Sequence, residues 1–326
     1  MNETALRATD TAARLLHDFR ANKLSHAYLI IGERGSGKRT LAQAFAQLLL
    51  CEAPGAAAPC GACQSCVYFN SFNTHPGLTV LERDAKKASI GIGEVRDATA
   101  GIYEAPYIGP RKLYLIPQAE LLTVQAQNAL LKILEEPPEH AVFILLSANR
   151  QAMLSTVLSR CRTLSMSPHS KEALRQILAE KEPLMSSQEA DSLIRRSCGL
   201  PGRLVALLDR EEAALQQAEL SAAVTALLNS DIEKLLELAG KADPREKALR
   251  FSENLAGFMR DAAVYLITGD PSLIVNEDQK PLLQQLTGAA PLKKIVDYIT
   301  LIQDTQKKLL ANASHTLCIK TLLLKW

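Results

Sequence analysis

The chain has 326 residues, 47% hydrophobic and 22% charged, enough for two or three domains with a substantial core and ordinary for a globular protein. Lys plus Arg (37) nearly balances Asp plus Glu (35), which argues against a protein holding DNA alone through its phosphates and leaves nucleic-acid contact to be shared with partners. No stretch offers the roughly 20 apolar residues of a bilayer-crossing helix, and Met1 to Asp10 is polar with both signs of charge, unlike a signal peptide, so a cytoplasmic location without a membrane partner is expected.

Leu15, Leu16 and Phe19 at helical spacing predict a helix over Thr11 to Arg20. Ala27 to Ile31 is a short apolar run that reads as a buried parallel strand. A Gly-rich turn follows, then a helix over Lys38 to Leu50, which is how an α/β unit opens. The turn, Gly32-Glu33-Arg34-Gly35-Ser36-Gly37-Lys38, fits most of a phosphate-loop pattern. In that pattern Gly32, Gly35 and Gly37 let backbone amides approach phosphate oxygens, and Lys38 reaches the β/γ phosphates. The magnesium-holding hydroxyl that should follow the lysine is replaced by Arg39. Thr40 comes one residue late, about 100° further round the helix. Two readings stand: a phosphate site, or a retained turn without turnover.

Of seven cysteines, Cys161, Cys198 and Cys318 are scattered, while Cys51, Cys60, Cys63 and Cys66 form C-x8-C-x2-C-x2-C. In a reducing compartment such a cluster points to metal rather than disulfides. Four thiolates close a tetrahedron, which fits structural zinc, with Gly61 turning the loop. Redox chemistry through Cys63 and Cys66 and inert buried thiols are the rival readings. His75 is a spare ligand, read as part of the Thr74-His75-Pro76 turn.

Further strands are predicted at Leu78 to Leu81, Lys112 to Ile116 and Val142 to Leu146. Helices over Gly93 to Gly101 and Thr123 to Leu134 separate them, the latter ended by Pro137-Pro138. The alternation implies a doubly wound parallel sheet with ligands at the carboxyl ends of its strands. An ATPase needs an acidic pair after one of these strands, but Ile116 is followed by Pro117 and Gln118, and Glu120 reads as a surface or cap position. Two defects in one site argue against self-contained hydrolysis.

After Pro168 the pattern turns helical. Lys171 to Glu180, Gln188 to Cys198 and Gly202 to Leu208 make a small unit, and helices continue from Glu211 to Trp326. Three domains are expected: an α/β core over 1–166 with the cysteine module at about 51–66, a helical lid over 167–209, and an all-α C-terminal domain over 210–326. Leu292, Ile295, Ile299, Ile302 and Leu309-Leu310 form an amphipathic stripe in the last of these.

Ser25-His26-Ala27-Tyr28-Leu29, the cysteine module, the run Asn128 to Pro138 (NALLKILEEPP) and Ser159-Arg160-Cys161 together resemble the clamp-loader subunits of bacterial DNA polymerase III, of the AAA+ class. The likeness covers Leu24 to Arg162. Within that family, Arg39, Pro117 and Gln118 make the chain more similar to the delta-prime branch than to the ATP-hydrolysing gamma/tau branch. The resemblance implies that Arg160 serves as an arginine finger in trans, reaching the ATP of an adjacent gamma/tau subunit. It implies that Ser159 positions the turn and that Cys161 packs. Ser147 and Asn149 fall where the family has its sensor residues, and Gly202, beside Arg203, falls at its lid-arginine position. Further implications are structural zinc on the four cysteines, ATP or ADP bound without hydrolysis, and a collar made by the C-terminal domain. The implied partners are gamma/tau and delta subunits in a hetero-pentamer, with the sliding clamp and primed DNA, in a nucleoid-associated DNA-directed DNA polymerase holoenzyme. Lys86-Lys87 and Arg111-Lys112 are the candidate DNA contacts on the core. The alternatives are a gamma/tau-like ATPase and, from another class, a zinc-containing DNA-binding or redox protein.

Overall fold

The computed structural model describes residues 9–55, 58–84, 87–276, 279–310 and 313–326, and the chain divides into two compact units, Met1–Leu204 and Val205–Trp326. The first runs α1 (Asp10–Arg20), β1 (Ala27–Ile31), α2 (Lys38–Leu50), α3 (Gln64–Phe72), β2 (Leu78–Val80), α4 (Ile92–Thr99), β3 (Lys112–Ile116), α5 (Val124–Glu135), β4 (Ala141–Ser147), α6 (Ser155–Leu158), β5 (Arg162–Ser165), α7 (Lys171–Lys181) and α8 (Ser187–Ser197). α9 (Pro201–Leu207) carries the chain across the boundary.

The five strands form one parallel sheet in the order β2-β3-β4-β1-β5. Because side chains alternate along a strand, each strand feeds two cores. Tyr28, Ile30, Leu113, Leu115, Val142 and Ile144 pack with Leu15, Phe45 and Leu49 from α1 and α2 on one face. Ala27, Leu29, Tyr114, Ile116, Phe143 and Leu145 meet Val95, Leu130, Leu134 and Val157 from α4, α5 and α6 on the other. Strands buried on both faces read as continuous apolar runs, which is why β1, β3 and β4 are plain in the sequence; β2, read over Leu78 to Leu81, ends at Val80 and is only partly buried. β5 has no such run: of Arg162 to Ser165 only Leu164 is buried, and it went unread, as did α3. The strand order puts β1 between β4 and β5, so the turn after β1 lies at the point where the winding reverses, the usual ligand crevice of such sheets.

The second unit is helical: α10 (Arg210–Asn229), α11 (Ile232–Lys241), α12 (Arg245–Thr268), α13 (Lys280–Ala289), α14 (Leu292–Leu310) and α15 (His315–Leu323). Phe258, Met259 and Ala262 of α12 are fully buried in its core, joined by Ile295, Ile302 and Leu309 of α14. Tyr298 completes that stripe, and its hydroxyl donates to the Leu322 carbonyl at 3.1 Å. The ends of the expected stripe are different: Leu292 and Leu310 are exposed. Buried Asp261 accepts from the amides of Val275 and Asn276 and from the Asn276 side chain at 2.7 Å, which pins the segment after α12. Among the described residues, no helix is long and apolar enough to cross a membrane.

Candidate functional site

The turn after β1 has the backbone of a phosphate loop. Gly35 and Gly37 both take left-handed φ, at 79° and 86°, which side-chain-bearing residues rarely adopt, and Gly37 caps α2. The Lys38 ammonium donates to the carbonyls of Gly32 at 2.5 Å and Glu33 at 2.8 Å, folding back over its own loop. Gly32 itself donates to the Ser147 carbonyl at 3.1 Å, which ties the loop to the end of β4. Arg39, at the hydroxyl position, pairs with Glu82 at 2.6 Å, and Thr40 is exposed.

The start of α9 closes on the same loop. The Gly202 amide donates to the Gly35 carbonyl at 2.7 Å, and a Cβ on Gly202 would lie 2.7 Å from the Gly35 Cα. Any side chain at 202 would therefore drive the helix off the loop. The Arg203 amide follows, 3.3 Å from where a Cβ on Gly35 would lie. Ser147 and Asn149 bond each other at 2.9 and 3.1 Å, and the Asn149 side chain caps the turn Arg150–Ala152.

One residue was misread. Glu120, expected at the surface or in a cap, is half-buried, with Oε2 shielded and lacking a hydrogen-bond partner. Burial holds Lys38 below the ordinary lysine pKa, and the charge of Glu120 pulls the other way. The turn after β3 thus does bring a carboxylate toward the loop, four residues beyond Ile116.

The four cysteines converge. Cys51 ends α2, Cys63 caps α3, Cys66 sits in its first turn, and Gly61 at φ 78° turns the loop between. Their sulfurs all lie within 4.8 Å of one another, with Cys51–Cys63 at 3.8 Å, Cys60–Cys66 at 3.9 Å and Cys51–Cys66 at 3.7 Å. A tetrahedron with bonds of about 2.3 Å has edges of ~3.8 Å, so the donor set fits a closed four-thiolate metal site. The amides of Ala62 and Cys63 draw the Cys60 thiol down to about 6, whereas burial pushes Cys51 and Cys66 up. Glu52 accepts from the Ser65 amide at 3.2 Å and its hydroxyl at 3.1 Å, closing the loop onto α3. His75 stands apart from the four sulfurs: its Nδ1 accepts the Gly77 amide at 2.9 Å.

Arg160 follows the single turn of α6. Its Nη1 donates to the Thr156 carbonyl at 3.0 Å and approaches Ser159 Oγ at 3.4 Å, while Nη2 meets Glu135 at 2.5 Å. Ser159 shares the Thr156 carbonyl at 3.0 Å. Cys161 is buried, which pushes its thiol to about 12 and makes it a packing residue. Gln127, missed in the sequence, holds this segment from below. Its buried amide donates to Ala152 O at 3.0 Å and Leu122 O at 3.3 Å and accepts from Leu154 N at 2.8 Å. The signal for it was a polar residue on the apolar face of α5, beside Ala126 and Leu130.

Of the basic pairs, Lys86 lies outside the described residues, Lys87 pairs with Glu94, and Lys112 donates to the Gly101 carbonyl at 2.6 Å.

A family described as DNA polymerase III, delta subunit, matches residues 8–170. The chain is 32% identical to the DNA polymerase III subunit delta' of Pseudomonas aeruginosa over 93% of its own length and 92% of the relative's. It is 30% identical to the subunit delta' of Yersinia pestis, with 92% and 88% covered. The subunit tau/gamma of Haemophilus influenzae is 32% identical over 60% of this chain but only 30% of its own length. With a family model over half of the chain and two delta' relatives at 30% identity or more covered nearly end to end, the chain belongs to the delta-prime family of DNA polymerase III subunits.

Proposed function

We propose that this clamp-loader subunit lends Arg160 to the ATP of an adjacent gamma/tau subunit and does not run its own motor. The observation that carries the reading is the contrast between two sites. Arg160 is held at its guanidinium by Glu135, Thr156 and Ser159, while the position that should supply a magnesium-holding hydroxyl is Arg39, engaged with Glu82. A permanently charged, planar guanidinium suits the charge that builds on a transferring γ-phosphoryl, and a finger supplied in trans is worth roughly 10³–10⁵ in rate. The chain's own residues contribute in three ways: Arg160 binds the phosphoryl group, Ser159 and Gln127 hold the turn that presents it, and Gly202 keeps α9 on the loop of Lys38.

The four cysteines are assigned to structural zinc, which when bound would tie the end of α2 to the start of α3. The lid over 167–209 and the collar over 210–326 are part of the same reading, with gamma/tau and delta as neighbours in a hetero-pentamer acting on the clamp and primed DNA in the cytoplasm. The half-buried carboxylate of Glu120, whose charge acts on Lys38, favours a second reading, turnover of ATP by this chain.

The test is the loader reconstituted from this chain with gamma/tau and delta, given clamp and primed DNA. Arg160→Ala should lower ATP turnover by at least a hundredfold at one site, and Arg160→Lys should restore little because the bidentate fork is lost. An unchanged rate with Arg160→Ala would refute the finger role.

A further inference from the structure

Arg160 is not simply an exposed side chain waiting for a partner. Its two terminal nitrogens are taken by different groups: Nη1 by the Thr156 carbonyl at 3.0 Å and Nη2 by the Glu135 carboxylate at 2.5 Å. One acceptor leaves a long side chain free to pivot about a single bond, whereas two acceptors on opposite nitrogens fix the plane of the fork. Thr156 belongs to the same short turn as Arg160, so it moves with it. Glu135 comes from a different element, the end of α5, which is anchored in the sheet-facing core by Leu130 and Leu134. It therefore supplies the external reference that the turn alone lacks.

The placement of Glu135 points the same way. It is the last residue of α5, where the helix dipole disfavours a carboxylate, so the helix gains nothing from it. The pair is also half-exposed, 33% for Arg160 and 48% for Glu135, and ion pairs of that kind add little to stability. A residue that is locally unfavourable and contributes little to folding, yet contacts the proposed finger, is accounted for by orientation.

We infer that Glu135 is a positioning residue for Arg160, holding the guanidinium plane so that Nε–H and the second N–H of Nη2 face phosphate oxygens, while Nη1 stays with Thr156 and Ser159. The inference rests on the reading of Arg160 as a finger in trans. Since arginine stays charged throughout, Glu135 acts on direction and not on protonation.

The reconstituted loader with clamp and primed DNA tests this, using Glu135→Ala, Glu135→Gln, Arg160→Ala and the double variant Glu135→Ala/Arg160→Ala, with assembly followed by gel filtration. Glu135→Ala should lower kcat at the one ATP site that Arg160 serves about ten- to hundredfold, the size expected for a misplaced reacting group, and leave KM for ATP there within about twofold. Glu135→Gln keeps an acceptor oxygen and should recover most of the rate. In the Arg160→Ala background the loss of Glu135 should add nothing, because it acts only through that side chain. Should Glu135→Ala assemble poorly, Glu135→Asp, which retracts the carboxylate by one methylene, should still lower kcat with KM held. An unchanged or raised kcat in Glu135→Ala, or a further loss in the Arg160→Ala background, overturns the inference while leaving the finger standing. If Arg160→Ala itself has no effect, the finger reading fails, and this inference with it.

Discussion

His75 is buried, stacked 5.4 Å from Phe69, with its Nδ1 committed to the Gly77 amide. Burial pushes its pKa below the ordinary value, and it does the same to His169 beside the phosphate loop. Between each depressed value and the ordinary value of about 6.5, the unfolded chain binds more protons than the folded one. The stability these groups leave intact is therefore complete above about pH 6.5 and declines as the pH falls below it. Melting curves from pH 8 to 5.5 should show Tm falling in the acid half, with a smaller slope in His75→Gln; a flat profile would contradict this. At this scale the sequence was legible wherever spacing alone defines chemistry, as for Lys38 and the four cysteines. Glu120 and Gln127 were not legible, because each matters through a contact between segments far apart in the chain. The approach of the turn after β3 to the loop after β1 depends on a strand order that no local pattern states.

Among the elements, α3 and β5 escaped a reading by periodicity. α3 buries only Ser65, Cys66 and Phe69, too few for an amphipathic signature, and it starts at two cysteines whose spacing reads as a metal motif first. Its stability follows from that motif. Cys63 caps the helix without a side-chain hydrogen bond, and Glu52 and the sulfur cluster are what fasten its start. Purified chain should carry a single zinc on its four thiolates. Cys63→Ser or a strong chelator should remove it and lower Tm, since metal-binding free energy is folding free energy in such loops. Retention of full Tm with the metal gone would leave α3 held by the stacking of its own Phe69 on His75. The helix boundaries fared better. Thr123 accepts from the Ala126 amide at 3.2 Å, a cap worth about 1 kcal/mol, and α5 begins within one residue of the expected place.

Across the whole molecule, the order of apolar runs and Gly-rich turns was enough to announce a parallel sheet followed by helices. The two compact units, divided at Leu204 and Val205, each bury a core of their own. The first carries the loop, the thiolate cluster and Arg160, and the second is helical in its described residues. On the proposed reading, the loop of Lys38 is a retained architecture and Arg160 serves a neighbour. Steady-state ATP turnover by the purified chain, given clamp and primed DNA but no other subunit, tests it most directly. The expected result is no turnover above background, with turnover appearing once gamma/tau and delta are added; hydrolysis by the chain alone at a rate comparable to the full assembly would contradict it.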